Sequence, residues 1–457
     1  MPKSDGLLRI IGPSLGWLLA GLPLCAVTTG ALAQPREAAA VADTLVDYRM
    51  ARGDHLYALA RLYFLRQSDF AVVQRINHIA DPLQIPVGTV LRIPARLLRS
   101  EPLEARVEAV RGTASIQQGG SAGNPRPAAG MAVRPGAVLE TGADGFLGLT
   151  LSNGSQISIP TRSRVRILAM RRFLLTKGVD FDIAVDRGKF ETQATPLSSG
   201  ASQFRLRTPR AVSAIRGTVL RVGYQPDRED SMTEVLDGSV AVQSAGGSAQ
   251  AAIVPKGRGA VVAATGSVKT EALLAAPEID DPGRIVSEPV AAFLLRPVPG
   301  ARGYHVQVAA DAGFSDLVGE ATAGGTQVAL PALGNGRWFA RVSAIAASGL
   351  EGESQVYSIR RVLAGLDAGA EQDADRLKFN WSGAGAGQRI YRFQMFRGDP
   401  RTRPMVDEPG LSTHALTVSG VDDGVYYWRV GMRQYADGDV VENWLPFQKL
   451  TVTGAGR

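Results

Sequence analysis

A mainly β, multidomain protein is the fold class this sequence predicts, and three observations predict it. The 52 glycines and 26 prolines among 457 residues punctuate the chain too often for long helices. Strict apolar alternation recurs between turn signals. The length exceeds what one core supports, at roughly 100 to 200 residues per domain, and 45% hydrophobic with 20% charged residues is enough to fill several cores.

Residues 1–33 stand apart. Lys3 and Arg9 precede an uncharged run from Ile10 to Thr29, and Ala31-Leu32-Ala33 closes it before Gln34. That is the pattern of a secretory signal peptide with a small-x-small cleavage site. Two other readings stay open: an uncleaved anchor, because Ile10 to Val27 is nearly bilayer length, and a lipidated Cys25, against which the bulky Leu24 argues. Cleavage removes the sole cysteine, so the mature chain uses no disulfide and no thiol chemistry. It changes the formal charge from +7 to +6. Such a balance suits an anionic wall polymer or lipid head groups, while export argues against nucleic acid as a partner. No later segment has the ~18 apolar residues of a membrane helix, so no stable membrane span is expected after cleavage. The expected location is the periplasm or the cell wall.

In the stretch from Asp47 to Phe64, Tyr48 to Met50 is strand-like, and Leu56, Leu59, Ala60 and Tyr63 recur at i, i+3, i+4 and i+7. One face of a short helix is therefore apolar, with Asp54 as its expected cap. A second helix is expected from about Ser68, with Phe70, Val73 and Ile76 inward. Pro82, Pro86 and Gly88 break it, and Thr89 to Ile93 returns as a strand ending at Pro94. On Tyr48, Gly53-Asp54, Leu56, Ala60, Tyr63, Asn77, Ile85, Gly88 and Leu91-Arg92-Ile93-Pro94, residues 46–95 resemble the LysM module, a βααβ fold.

The resemblance implies a non-catalytic module that binds peptidoglycan or another N-acetylglucosamine-containing glycan. Its groove would lie between the loop Gly53, Asp54, His55 and Leu56 and the loop from Ile79 to Gln84, with Ile79, Asp81, Pro82, Leu83 and Gln84 as contacts. His55 departs from the family, which has Thr or Ser there. Asp54 is open to two readings, helix cap or sugar contact, and His55 likewise, solvated loop residue or ligand. A degenerate module that no longer binds glycan is a further reading, and the module is expected to fold alone.

From residue 104 to 266 the period becomes two. Leu147, Leu149 and Leu151 alternate up to Asn153-Gly154, and Ile157 and Ile159 continue beyond it, a strong hairpin signal. Phe181, Ile183 and Val185 alternate before Arg187-Gly188, and Asp237-Gly238 separates two further runs. Many short strands with regular turns predict a closed or wrapped β-structure. Thr141-Gly142, Ser152-Asn153-Gly154-Ser155, the run from Arg207 to Val222 with its Ile215-Arg216-Gly217-Thr218, the run from Val235 to Val242, and Lys256-Gly257 resemble the FecR domain. In its family that domain is the periplasmic part of a transmembrane regulator that relays an outer-membrane signal to a sigma factor. This chain has no cytoplasmic segment ahead of its leader and no mid-chain membrane helix, so the domain carries over and the regulatory role does not. Arg162, Arg164 and Arg166 fall on one expected strand face with Val165 and Ile167 on the other. That face is either solvated or a site for an anionic polymer or lipid.

Past an Ala- and Pro-containing linker near Ala275 to Pro282, the chain repeats itself. Tyr304-His305-Val306-Gln307-Val308 is matched 87 positions later by Tyr391-Arg392-Phe393-Gln394-Met395, and Asn335 to Val342 by Asp423 to Val430. Two tandem domains follow, 283–364 and 365–457. Both resemble fibronectin type III-like β-sandwiches, whose Tyr and Trp positions fill the core. Trp381 fits that core, with an exposed sugar-stacking platform as the other reading.

The four histidines, His55, His78, His305 and His414, include no pair at metal-ligand spacing, and no phosphate-binding loop is present. No catalytic residue, no metal and no cofactor is therefore expected. The resulting expectation is an exported, non-catalytic envelope protein that holds peptidoglycan and presents β domains to unidentified envelope proteins. The alternative is a periplasmic component of a FecR-type signalling system acting through a separate membrane partner.

Overall fold

Alternating sequence becomes strand almost everywhere in the computed structural model, which describes residues 44–119, 126–197, 199–247, 250–330, 333–373, 376–436 and 438–453. The leader, Cys25 and the cleavage site lie outside the described residues. Strand accounts for 56% and helix for 5%, so the mainly β, multidomain expectation holds.

The βααβ order is present at the start. Strands Leu45–Arg49 and Val90–Pro94 pair antiparallel, with Tyr48 opposite Leu91, and helices Leu56–Tyr63 and Phe70–Ile76 pack on them. Leu56, Leu59, Ala60 and Val73 are buried, as the helical stripe requires. This core is not self-contained. Phe173 and Ala201, from the following β domain, belong to the same apolar cluster as Val46, Phe64, Leu91 and Leu98. A short 3-10 turn, Ala95–Leu97, carries the chain across, and Arg99 then ties both sides: its N–H donates to Tyr63 O at 2.7 Å, and Leu174 N–H donates to Arg99 O at 3.0 Å. Gln203 Nε2 adds a bond to Leu45 O at 2.7 Å. The module's apolar core is therefore shared with the β domain.

The β domain wraps two sheets around one apolar interior. Strand Val179–Gln193 belongs to both. Its first half pairs with Arg164–Phe173 and, in parallel, with Gln203–Arg207; its second half pairs with Val219–Gln225 and Gln156–Ile159. Leu147 lies opposite Ile159 across the Asn153-Gly154 hairpin, where Gly154 has φ +84°. Asp237-Gly238 is a corner: Asp230–Asp237 pairs with Val219–Gln225, whereas Ser239–Ser244 pairs with Ala211–Ile215 in the other sheet. Arg164 and Arg166 do share a strand face, but both are paired, with Glu140 and Asp186 at 2.6 and 2.7 Å. Arg162 sits in the preceding turn at φ +54°, off that face. Neutralised arginines make a poor polyanion site, so the solvated-face reading stands.

The two tails are β-sandwiches. In the first, Ala301–Ala309, Gly336–Ala346 and Glu351–Arg361 lie side by side. In the second, Gln388–Arg397 and Gly424–Ala436 form the centre of the larger sheet. Trp381, Tyr391, Phe393 and Trp428 fill the second core, and Trp381 is 4% exposed, which removes it as a sugar platform.

The first sandwich packs its outward sheet face onto the outward face of the β domain. Polar side chains alternate there, so an ionic layer is enclosed. Arg221 donates to Glu351 at 2.9 Å, and both residues are fully buried; Lys189 also pairs with Glu351, and Arg341 with Glu191. Glu351 N–H donates to Glu234 at 3.1 Å. His305 faces Glu351 and Glu320 through its two ring nitrogens at 3.1 Å each, and only the protonated ring donates to both. Phe146 of the β domain completes an apolar plug with Phe314 and Leu317 of the sandwich.

This layer sets a pH dependence. Burial pushes the Glu234 carboxyl up to about 7. Burial alone would depress His305, but Glu351 outweighs it and raises the imidazole. Against burial, His305 holds Glu320 down at about 2, and Arg221 and Lys189 hold Glu351 well below the carboxylate range. Raised groups lose their stabilising contribution as pH rises through the folded value; lowered carboxylates lose theirs as pH falls below 4.5. Scanning calorimetry of the full chain should therefore find maximal stability at about pH 5, with an alkaline limb that falls from there to about pH 7 as Glu234 is forced to ionise. Glu234→Gln should flatten the alkaline limb, and an unchanged limb would refute the assignment.

Candidate glycan-binding site

The first loop of the N-terminal module turns at Gly53, whose φ of +89° is open to glycine and strained for any β-branched residue. No atom would touch a Cβ there, so conformation, not space, selects glycine. Asp54 is not the helix cap. The helix begins at Leu56, which makes His55 the residue before it, and His55 Nδ1 accepts the Ala58 N–H at 3.2 Å. An imidazole thus does what a hydroxyl does at an N-cap. Asp54 instead stitches the turn, accepting from Tyr48 Oη at 2.6 Å and Ala51 N at 2.8 Å. Burial first, then that bond to Asp54, pushes the Tyr48 hydroxyl up to about 12, so it remains a donor.

The second loop lies beside the first. Leu56 N–H donates to Pro82 O at 3.0 Å, and this bond joins the two. Asp81 shapes the turn by accepting from Leu83 N at 2.9 Å, and Gln84 N–H donates to Asp81 O at 3.2 Å. Ile79 is tied to Gln74 through both its N–H and its carbonyl. Leu83 is 59% exposed, whereas the Leu56 side chain is in the core. Leu83 is thus an exposed apolar side chain on the second loop, and the part of Leu56 at the loop surface is its backbone N–H.

Asn77 has a structural task that its place in the sequence did not reveal. Its side chain donates to Val73 O and Arg92 O at 2.8 Å each and accepts from Arg92 N at 2.7 Å. It clamps the end of the second helix to the closing strand, and so fixes where the Ile79–Gln84 loop begins. The signal was there: an amide just after an apolar helical run can satisfy both a carbonyl and an N–H. Among the described residues no cluster of His, Cys, Asp or Glu could hold a metal ion.

Comparison with known families places two domains in this chain. Residues 48–94 match the family model of the LysM domain, and residues 137–241 match that of the FecR protein. No curated protein matches the chain. Among solved structures, one provisionally described as an anti-sigma factor of Parabacteroides distasonis is 13% identical, with a TM-score of 0.25, over 30% of this chain and 59% of that one. The chain thus spans less than two thirds of that protein. A two-domain fibronectin type III segment of chicken tenascin is 13% identical, with a TM-score of 0.18, over 38% of this chain and 98% of that one. LysM and FecR domains are binding and signalling domains of the bacterial envelope, and the LysM domain implies glycan binding. No helix among the described residues is long and apolar enough to cross a membrane.

Proposed function

We propose that this protein is an exported, non-catalytic envelope protein that binds peptidoglycan through the loops Gly53–Leu56 and Ile79–Gln84 and holds its FecR and sandwich domains at the wall. The bond from Leu56 N–H to Pro82 O carries this reading, because it holds side by side the two loops between which the proposed groove would lie, with Leu83 exposed on the second. Such a groove buries little area per sugar, so short N-acetylglucosamine oligomers should bind at ~0.1 to 1 mM.

Titration of the full chain with the pentamer, followed by NMR, should shift Gly53 to Leu56 and Ile79 to Gln84, and purified sacculi should retain the protein. Gly53→Val should weaken binding about tenfold, since forcing a β-branched residue to φ +89° costs roughly 1–3 kcal/mol and displaces the turn. If no oligomer shifts these loops and sacculi do not retain the chain, the anchoring role is lost. The FecR match over residues 137–241 favours a second reading in that event: a periplasmic signalling component that acts through a separate membrane partner.

A further inference from the structure

Where the first helix of the N-terminal module ends, leucine and arginine face water together. Phe64 is buried, whereas Leu62 and Leu65 are 51% and 61% exposed, and Arg61 and Arg66, which bracket them, are exposed as well. The backbone fixes this run against the chain that leaves the module: Phe64 bridges to Leu98, and Leu65 N–H donates to Leu97 O at 2.8 Å. Arg99 then lays its side chain between the two leucines. Its Nε donates to Phe64 O at 2.8 Å and a terminal N–H donates to Leu62 O at 3.3 Å.

These charges are unanswered, unlike those of Arg164 and Arg166. Arg61 and Arg66 make no ion pair among the described residues, and the side chain of Arg99 is bonded to carbonyls at the helix end and to no carboxylate. Of the carboxylates next in sequence, Glu101 is taken by Arg172 at 3.2 Å, which leaves Asp69 against three arginines. The β domain adds to the positive side. Leu174 N–H donates to Arg99 O at 3.0 Å, and the turn that follows, closed by Lys177 N–H to Phe173 O at 2.9 Å, exposes Lys177.

Unpaired guanidinium groups beside bare leucines select the occupant. Guanidinium binds phosphate oxygens in a bidentate fork, and leucine leaves water only where an apolar phase meets it. A hydrated wall polymer brings anions and no such phase. A protein partner is anchored through Trp, Tyr and Arg, with leucine under-represented, and no aromatic side chain from Arg61 to Arg66 is exposed. An anionic bilayer brings phosphates at its surface and acyl chains just beneath them, the order in which arginine and leucine are used at membrane interfaces. We propose that the end of helix Leu56–Tyr63 rests on an anionic phospholipid surface, with Leu62 and Leu65 below the phosphates that Arg61, Arg66 and Arg99 hold. Two leucines make the contact weak and reversible, and dependent on the charges. It uses neither loop of the proposed groove and stands independently of glycan binding.

Co-sedimentation of the full chain with vesicles tests this, using phosphatidylcholine alone and phosphatidylcholine mixed with phosphatidylglycerol. Partitioning should be at least tenfold stronger on the mixed vesicles and should weaken as ionic strength rises. The double variants Arg61→Gln, Arg66→Gln and Leu62→Ser, Leu65→Ser, each confirmed as folded by an unchanged melting curve, should each lower it about tenfold. Leu294→Ser, which removes a leucine equally exposed on the first sandwich, should leave it unchanged. The proposal is overturned if the chain stays in solution with both vesicles, or if it binds phosphatidylcholine as well as the mixture. Loss of binding in the arginine variant with full binding in the leucine variant also overturns it, because a soluble polyanion or an acidic protein would then be the occupant.

Discussion

Arg221→Met should lower the melting temperature of the chain by about 10 °C. Arg221 is enclosed where the β domain meets the first sandwich, bonded to the Glu351 carboxylate and to the Glu351 carbonyl at 2.9 Å each. Methionine fills similar volume but leaves Glu351 and Glu234 without their main counter-charge. Breaking a buried pair from one side costs about 3–5 kcal/mol, and in domains of this size each kcal/mol is worth roughly 2–4 °C. The double variant Arg221→Met, Glu351→Met should recover only part of the loss, because it removes two desolvated charges together but takes Glu351 from Lys189 and His305 and leaves Glu234 without Arg221. Calorimetry decides the matter: a single variant melting within a degree or two of the parent would mean that the ionic layer is wet and the seam loose.

Phe173→Ala should destabilise a module in which Phe173 does not lie in sequence. The ring is fully buried among Val46, Phe64 and Leu98, and deleting a buried phenylalanine costs about 3–5 kcal/mol in lost transfer and cavity terms. Hydrogen exchange reads where the cost falls. Amides of Leu56–Tyr63 and Phe70–Ile76 should lose protection together with those near the end of Arg164–Phe173. If the two helices keep their protection while the β domain loses its own, the shared core is not a cooperative unit.

Patterns that run along the chain were legible before the structure. Leu147, Leu149 and Leu151 announced a strand and Asn153-Gly154 a hairpin, because inward residues in a sheet recur every second position. The duplicated Tyr304 and Tyr391 stretches announced two sandwiches. The two loops proposed to hold glycan could be named from resemblance, but not the bond between Leu56 and Pro82 that joins them. What joins the domains was not legible. Glu191, Arg221 and Glu234 occupy the polar positions of alternating strands, and alternation does not distinguish a face turned to water from one turned to a neighbouring sheet. Phe173 closes an arginine-rich run, so nothing local tied it to Phe64. The cap was misplaced by one residue, from His55 to Asp54, since both are polar and only the backbone shows where the helix starts.

Strand Val179–Gln193 has a consequence for which lengths this chain can vary. Deleting one residue between Phe181 and Glu191 would exchange inward and outward positions on one side of the gap. Phe181, Ile183 and Phe190 are buried in the interior, while Glu191 faces Arg341 across the seam. A gap would therefore either expose the apolar set or turn the charged set inward, in whichever sheet failed to keep register. Insertions and deletions among relatives should be absent from this strand and gather at hairpin ends, and its fifteen residues should serve as the fixed ruler against which the rest of the domain is aligned.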